Sequence, residues 1–185
     1  TTGAGDAQSN AALAIYSIQR DIKQAGYGMT SLGVFGCPLT LATASNHQLA
    51  ALAPITINPP VTDVVAGDAN TDTLLVVYGG GVGAPEGDSI VSVGPVGTKQ
   101  RIGLLSPTNF RSGEYVFAAP KAPTNGCTLT MRAIGAVEAT SITVPDIDAT
   151  EDMALFGFGT RPRIVAYAIR GGNLTVCDYM QGNCS

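Results

Sequence analysis

The chain has no tryptophan, a single histidine and little charge. Only 13% of its 185 residues are Asp, Glu, Lys or Arg, and the formal net charge is −4. Because no cluster of Lys and Arg is present, we expect no nucleic-acid binding through phosphate neutralisation. One histidine also leaves few ligands for a metal centre, so no cofactor is expected. The sequence contains no run of about 18 apolar residues, and no segment is therefore typical of a transmembrane helix.

The motifs that would carry catalysis are incomplete. His47 lies in a polar stretch and the chain has no Gly-x-Ser-x-Gly elbow, so we interpret it as an exposed loop histidine. A glycine-rich segment begins at Gly79 after a strand-like run, as in a phosphate-binding loop. Pro85 follows it where that motif requires a helix. The sequence therefore predicts neither an enzyme nor a small-molecule substrate.

One acidic segment resembles the beginning of a calcium loop. Asp146, Asp148 and Asp152 place carboxylates at even spacings, which makes them candidate calcium ligands. The pattern fails at Glu151, where the loop requires glycine, and at Gly157, where it requires a bidentate glutamate. An acidic solvated loop is the favoured interpretation of these residues.

The chain does contain four cysteines, an even number without metal-binding spacing. They are Cys37, Cys127, Cys177 and Cys184. Disulfides in an oxidising compartment are the favoured interpretation, and four cysteines allow three pairings. Cys177 and Cys184 flank the turn-forming pair Gly182 and Asn183, so we expect a local bond between them. Cys37 is then left to pair with Cys127.

Apolar residues recur at steps of three and four through the first 28 positions. They are Ala4, Ala7, Ala11, Ile15, Ile18, Ile22 and Ala25. This spacing predicts an amphipathic helix over about residues 4–27, ended by Gly26 and Gly28. The helix has no clear N-cap, which suggests that a segment preceding residue 1 has been removed.

The rest of the chain divides into two parts within one predicted domain, residues 1–185. Breakers such as Asn58-Pro59-Pro60 make residues 29–72 irregular, whereas residues 73–185 are rich in strand patterns. Gly171 and Gly172 separate two strand-like runs, which predicts a hairpin with a two-residue turn. The other predicted strands cover residues 73–78, 89–93, 114–119, 127–134 and 141–144. A helix followed by antiparallel strands predicts an α+β fold.

Three blocks of the sequence resemble PilW-type minor pilins of type IV pili. They are AIYSIQRDIKQAGYG at residues 14–28, DTLLVVYG at residues 72–79 and VAYAIRGGNLTVCDY at residues 165–179. The resemblance implies a pilin-like fold, in which a long N-terminal helix packs on an antiparallel sheet. It also implies that the protein is a methylated prepilin of a Gram-negative bacterium. The membrane half of its N-terminal helix is then absent here. Such a protein resides in the inner membrane before assembly and in the extracellular fibre afterwards.

The function implied by this resemblance is structural. A minor pilin helps prime assembly of the pilus and sits near its tip, in contact with other minor pilins and the major pilin. Adhesion and motility belong to the assembled fibre. In this chain Ala4, Ala7, Ala11 and Leu13 are the expected partner contacts, and the small alanines let helices approach closely. Ile15, Ile18 and Ile22 are expected to be core residues.

Two alternatives remain open from the sequence. A minor pseudopilin of a type II secretion system shares the same helix and sheet. A secreted adhesin or carbohydrate-binding domain belongs to another class, and residues 29–72 and 94–126 could hold its site. The absence of tryptophan counts against sugar binding, since sugar platforms favour aromatic side chains.

Overall fold

The computed structural model describes residues 2–29, 31–43, 46–81, 86–121, 127–182 and 184, with only the backbone for residues 2–7. Within these residues the chain forms one α-helix, two short 3₁₀ turns and fourteen strands. The helix is α1 (Thr2–Gln24) and the turns span Leu32–Val34 and Pro107–Asn109. The strands are β1 (Leu39–Thr40), β2 (Gln48–Leu49), β3 (Ile55–Ile57), β4 (Leu74–Tyr78), β5 (Asp88–Val96), β6 (Lys99–Leu104), β7 (Tyr115–Pro120), β8 (Leu129–Thr130), β9 (Arg132–Ala133), β10 (Ala136–Val137), β11 (Ser141–Pro145), β12 (Met153–Gly159), β13 (Arg163–Arg170) and β14 (Asn173–Asp178).

The strands form three sheets, which together we call the β body. A seven-stranded sheet has the order β10-β11-β6-β5-β12-β7-β9, and a four-stranded sheet has the order β14-β13-β4-β3. A small third sheet, β2-β1-β8, contains a parallel pair between β1 and β8. β5 pairs with β12 through Asp88 and Ser89 and with β6 from Ile90 onward, so the large sheet curls at β5.

Two hydrophobic cores lie on opposite sides of β7 and β12. The alternation of side chains along a strand sends Val116 and Ala118 to one core and Phe117 and Ala119 to the other. The first core fills the curl of the seven-stranded sheet. The second joins that sheet to the inner face of the four-stranded sheet, where Leu75 is buried. β7 and β12 therefore act as the wall between the two cores.

Both predicted disulfides are present. Cys37 and Cys127 are bonded with their Cα atoms 5.4 Å apart, and Cys177 and Cys184 are bonded with theirs 5.6 Å apart. The first bond links the segment after α1 to the approach to β8, and the second ties the last described residue to β14. A disulfide-stapled domain was expected, and this part of the expectation is confirmed.

The predicted fold class is wrong. The sequence predicts an α+β, pilin-like fold in which a long N-terminal helix packs on an antiparallel sheet, but the described chain is mainly β with a single helix. α1 approaches the strands chiefly at β4, near its C-terminal end, and most of its length lies clear of the sheets. A stripe of apolar residues predicts a helix but does not specify what that stripe faces.

The strand predictions succeed where the pattern is local. The hairpin of β13 and β14 turns at Gly171 and Gly172, which have φ values of 58° and 73°. The strand predicted over residues 127–134 is instead two short strands, β8 and β9. The chain changes sheets at Met131, because β8 pairs with β1 and β9 pairs with β7. Strands β6 and β12 were not predicted, nor were the short strands β1, β2 and β10, the first two of which lie in the segment expected to be irregular.

Candidate functional site

The C-terminal part of α1 is attached to the four-stranded sheet through a buried carboxylate. Asp21 is 1% exposed, and it alone is buried among the α1 side chains that the structure describes. The hydroxyl of Tyr167 donates to its Oδ2 at 2.8 Å, and the hydroxyl of Tyr78 donates to its Oδ1 at 3.1 Å. Arg20 adds a hydrogen bond and an ion pair, both at 3.1 Å. We call these four residues the helix anchor.

The sheet register explains why both tyrosines reach one carboxylate. Tyr78 on β4 lies opposite Arg163, and Tyr167 on β13 lies opposite Leu74, so both rings point to the same face of the sheet. We call this the outer face. Val76 and Val165 pair between the two tyrosines on that face, and both are fully buried. Asp21 therefore lies across a small apolar platform with a hydroxyl donor on either side.

The pKa values of Tyr78 and Tyr167 are raised, so both hydroxyls stay protonated and can donate to Asp21. Burial raises the pKa of Tyr167 well above its ordinary value, and the hydrogen bond to Asp21 raises it further. Burial likewise raises the pKa of Tyr78, with the charge of Asp21 as the second cause. Both hydroxyls are therefore protonated at neutral pH. A carboxylate that accepts several hydrogen bonds in this way tolerates its burial.

The chain immediately after α1 is fixed to the same region by its backbone. The N–H of Gly26 donates to the carbonyl of Val77 at 2.9 Å, and the N–H of Gly79 donates to the carbonyl of Tyr27 at 2.7 Å. Gly26 has a φ of 77°, a left-handed conformation that ends the helix without strain. The C-terminal end of α1 is thus held by side chains and by main chain.

The glycine-rich segment after β4 is a crossing point between two sheets. A Cβ at Gly79 would overlap the Phe158 carbonyl, and one at Gly81 would overlap the carbonyl of Gly157. Only glycine allows the end of β4 to pass so close to β12. Residues 82–85 lie outside the described residues. Close backbone contact therefore accounts for Gly79 and Gly81, which we had considered as part of a phosphate loop.

The anchor sets the rotation of α1, and this rotation exposes part of its apolar face. Successive residues on a helix are about 100° apart, so Asp21 shares a side with half-buried Ala14 and Ile18. Ile15 and Ile22 lie on a side rotated by about 80° from that one. They are 57% and 40% exposed, and Ala11 beside them is also exposed. We call Ala11, Ile15 and Ile22 the free stripe.

The residues predicted on α1 therefore have different outcomes. Ile15 and Ile22 were expected to be core residues, and this expectation is wrong because Asp21 takes the buried position. Ile18 was expected there too, but it is only half-buried. Of the expected partner contacts, the side chains of Ala4 and Ala7 lie outside the described residues. Ala11 is exposed, and Leu13 is exposed on the side opposite the free stripe.

The outer face of the four-stranded sheet carries exposed apolar side chains only at its edges. Ile57, Leu74, Tyr167 and Val176 form one row across its four strands, in register. The two ends of the row are open, with Ile57 67% exposed and Val176 61% exposed. Between them Leu74 is half-buried and Tyr167 is buried. Single exposed apolar side chains of this kind are ordinary on protein surfaces.

His47 is not placed as expected. It was interpreted as an exposed loop histidine, but its ring is half-buried and stacks on Tyr179 with centroids 4.3 Å apart. Its Nε2 lies 2.9 Å from the carbonyl oxygen of Asp63, which also accepts a hydrogen bond from the Tyr179 hydroxyl at 2.6 Å. These contacts fix the segment after β14 against the chain near Asp63.

The three calcium candidates do not converge on one point. Asp146 forms an ion pair with Arg132 at 3.6 Å, and Asp152 accepts a hydrogen bond from the Thr150 hydroxyl. That hydrogen bond is the main cause of the lowered pKa of Asp152. Asp148 is exposed. Within the described parts of the chain, no three His, Cys, Asp or Glu side chains are grouped closely enough to hold a metal ion.

A second buried carboxyl lies at the start of β7. Glu114 is 3% exposed, and its Oε2 accepts a hydrogen bond from the N–H of Arg111 at 3.2 Å. Its Oε1 has no hydrogen-bond partner among the described residues. Burial raises the pKa of Glu114, and the hydrogen bond from Arg111 opposes this shift. No sequence pattern marks this residue, since a lone glutamate before a strand has no characteristic signature.

Comparisons with known proteins add no relative. No family model matches the chain, no curated protein matches its sequence, and no solved structure matches its fold. The two disulfides indicate an oxidising compartment, periplasmic or extracellular. Among the helical residues that the structure describes, no helix is both long and apolar enough to cross a membrane.

Proposed function

We propose that this chain is a structural subunit of an extracellular filament, a minor pilin that helps prime a type IV pilus and sits near its tip. Its free stripe packs against the helices of neighbouring pilins. Before assembly the subunit resides in the inner membrane of a Gram-negative bacterium. The β fold itself gives this proposal no support. The support comes from α1, from the three sequence blocks that resemble PilW-type pilins and from the oxidising compartment.

The observation that carries the proposal is the exposure of Ile15 and Ile22 on an anchored helix. An apolar helix face normally lies against its own domain. Here the anchor rotates that face outward and fixes it there, so the side chains that should be buried are available to a partner. Leu13 is 65% exposed on the opposite side, so α1 presents apolar side chains in more than one direction. A helix with that distribution is typical of a position among several other helices.

The test compares two substitutions in the bacterium that encodes the chain. Ile15→Asp places a charge on the free stripe, whereas Thr98→Asp places the same charge at an exposed polar position in the turn between β5 and β6, away from α1. We expect Ile15→Asp to lower surface pili by at least about tenfold, because burying an unpaired charge in a helix contact is costly. Thr98→Asp should leave piliation near the wild-type level.

Three outcomes would contradict the proposal. Normal piliation with Ile15→Asp would show that the free stripe makes no assembly contact. Unfolding of the purified Ile15→Asp chain would show that Ile15 supports its own domain instead. Loss of type II secretion with normal piliation would indicate that the subunit belongs to the pseudopilus of a type II secretion system instead.

A further inference from the structure

The last strand, β14, is a long and unprotected sheet edge. Among the described residues, the other strands that end the three sheets (β2, β3, β8, β9 and β10) have only two or three residues each, whereas β14 has six. β14 pairs with β13 through every residue without a bulge, and it contains neither proline nor lysine. Those devices normally keep a strand edge from pairing with another chain. The part of β5 beyond Ser89, which is also open on one side, has both a bulge and Pro95.

The sheet register shows which backbone groups of β14 point outward. The N–H of Tyr179 donates to the carbonyl of Ile164 at 2.9 Å, so these two residues form a hydrogen-bonded pair just beyond the strand. Hydrogen-bonded and non-hydrogen-bonded pairs alternate along an antiparallel ladder. The N–H and C=O groups of Leu174, Val176 and Asp178 therefore point away from β13.

Only part of that outward edge is free. The carbonyl of Asp178 accepts a hydrogen bond from the N–H of Gln181 at 3.0 Å, so the turn after β14 already occupies it. The backbone groups of Leu174 and Val176 have no hydrogen-bond partner in the part of the chain that the structure describes. Their side chains, 38% and 61% exposed, are ordinary by themselves. Free backbone donors and acceptors beside them form a template on which another strand can pair.

We propose that β14 pairs with β14 of a second copy of this chain, antiparallel and two-fold symmetric, with Thr175 opposite Thr175 at the axis. This register places Leu174 opposite Val176 of the second copy and Val176 opposite its Leu174. Each of these pairs exchanges both backbone hydrogen bonds, so the groups that are free in one copy meet the groups that are free in the other. The apolar side chains of both copies gather on one face, as in stabilising cross-strand pairs. The contact is isologous and closes on itself.

The neighbouring registers fit less well. An axis at Val176 would place Leu174 opposite Asp178, which has a charged side chain and a carbonyl already bonded within its own chain. An axis at Leu174 would place Val176 opposite Gly172, whose N–H is already bonded to the carboxylate of Asp68 at 2.8 Å. The axis at Thr175 alone uses the free groups of both residues.

Charge and size set the strength of the contact. Asp178 is the one charged residue of β14, and its Oδ2 lies 2.9 Å from the Nε of Arg163 in its own chain. In the proposed register it lies opposite Gly172 of the second copy, so no like charges meet. A strand edge of this length buries less surface than stable dimers need, and we therefore expect a weak dimer. The contact does not use the free stripe, so this proposal and the pilus proposal can fail separately.

The test combines sedimentation equilibrium of the full chain, up to about 1 mM, with amide hydrogen exchange by NMR. We expect a monomer–dimer equilibrium and slower exchange of the Leu174 and Val176 amides at high concentration than at low. The amide of Ile57 points outward from β3, the opposite edge of the same sheet, and its exchange should not depend on concentration. Val176→Lys places a charge on the pairing edge and should raise the dissociation constant at least about tenfold.

The matched control is Ile57→Lys, which places the same charge at an exposed position on the opposite edge. It should leave the dissociation constant unchanged. Equal weakening by both variants would indicate that β14 pairs with β3 of the next copy, a head-to-tail contact, and would overturn the two-fold assignment. A folded chain that stays monomeric at about 1 mM would overturn the proposal. So would a dimer in which the Leu174 and Val176 amides exchange as fast as in the monomer, a measurement on the wild type that holds even if Val176→Lys fails to fold.

Discussion

The β body and α1 are stabilised in opposite ways. In the β body, large apolar side chains such as Phe158 and Ile142 are fully buried in one of two cores, and a disulfide spans 90 residues. In α1, Ile15, Ile22 and Tyr16 are exposed while Asp21 is buried. The β body therefore buries its large apolar side chains in its own cores, whereas α1 leaves apolar side chains exposed and is attached through a polar anchor. The following substitutions test that difference, from the largest expected effect to the smallest.

The largest effect should come from Phe158, whose ring lies in the core shared by the four-stranded and seven-stranded sheets. Phe158→Ala removes its edge contact with Phe117, at a centroid distance of 6.2 Å, and leaves a cavity. We expect the free energy of unfolding to fall by about 3–5 kcal/mol, measured by guanidinium denaturation. Tyr16→Ala on α1 removes an aromatic ring that is 65% exposed and should change it by less than about 0.5 kcal/mol. Similar losses in both variants would remove the contrast between the two regions.

An intermediate effect should come from the helix anchor. Asp21→Ala leaves the hydroxyls of Tyr78 and Tyr167 without their acceptor, which costs about 1–3 kcal/mol for a buried donor. We expect faster hydrogen exchange throughout α1, whereas amides in the β body keep their protection. Asp21→Asn retains an acceptor and should restore part of the protection. Asp148→Ala removes an exposed carboxylate and serves as the control. Unchanged exchange in Asp21→Ala would show that backbone contacts alone hold α1.

A smaller, pH-dependent effect should come from Glu114. Its pKa is raised in the folded state, mainly by burial, so the native protein binds the proton more tightly than the unfolded chain does. Its contribution to stability is therefore complete below the ordinary glutamate pKa and is lost as the pH rises through the folded value. We expect Glu114→Gln to be more stable than the wild type at pH 8, and its stability to fall less between pH 4 and pH 8. Denaturation at both pH values measures the free energy of unfolding.

The control for Glu114 is the exposed Glu151, since Glu151→Gln changes the same charge without burial. It should leave the slope of stability against pH unchanged. Asp21 sharpens the comparison, because its carboxylate is satisfied by three donor side chains whereas Glu114 leaves one oxygen unpaired. A steeper decline with pH in Glu114→Gln than in the wild type would contradict the direction of the shift.

Apart from the Cys37–Cys127 bond, which follows once Cys177 is paired with Cys184, the features that could be predicted from the sequence depend on neighbouring residues. Gly171 and Gly172 specify the β13–β14 turn because both adopt positive φ, and the short spacing of Cys177 and Cys184 favours their bond. The strand at Leu74–Tyr78 follows from its continuous apolar run. In each case the physical cause lies within about ten residues of the chain, so the pattern and its structural consequence coincide.

The features that could not be predicted depend on distant partners. Asp21 determines which side of α1 is buried, but its donors Tyr78 and Tyr167 are 57 and 146 residues away. Nothing in the helical spacing distinguishes a polar residue that faces water from one that faces two tyrosines. β12 was missed because its glycines, Gly157 and Gly159, interrupt the apolar alternation. Those glycines are needed where β12 meets the end of β4 and the side chain of Glu114. The close approach at these two positions requires glycine, so the alternating apolar side chains that would mark a strand are missing there.

The smallest effect should come from Ile15, and it tests the free stripe most directly. If Ile15 contacts nothing in its own domain, Ile15→Ala removes no packing. Alanine also has the higher helix propensity, so the free energy of unfolding should change by less than about 0.5 kcal/mol. Ile142→Ala makes the same chemical change at a fully buried position and should cost about 2–5 kcal/mol, measured by the same denaturation. Equal losses would mean that α1 folds back and buries Ile15 in solution, which would leave the free stripe unavailable to a partner. A small effect for Ile15 and a large one for Ile142 would indicate that the free stripe is exposed in solution and available to a partner.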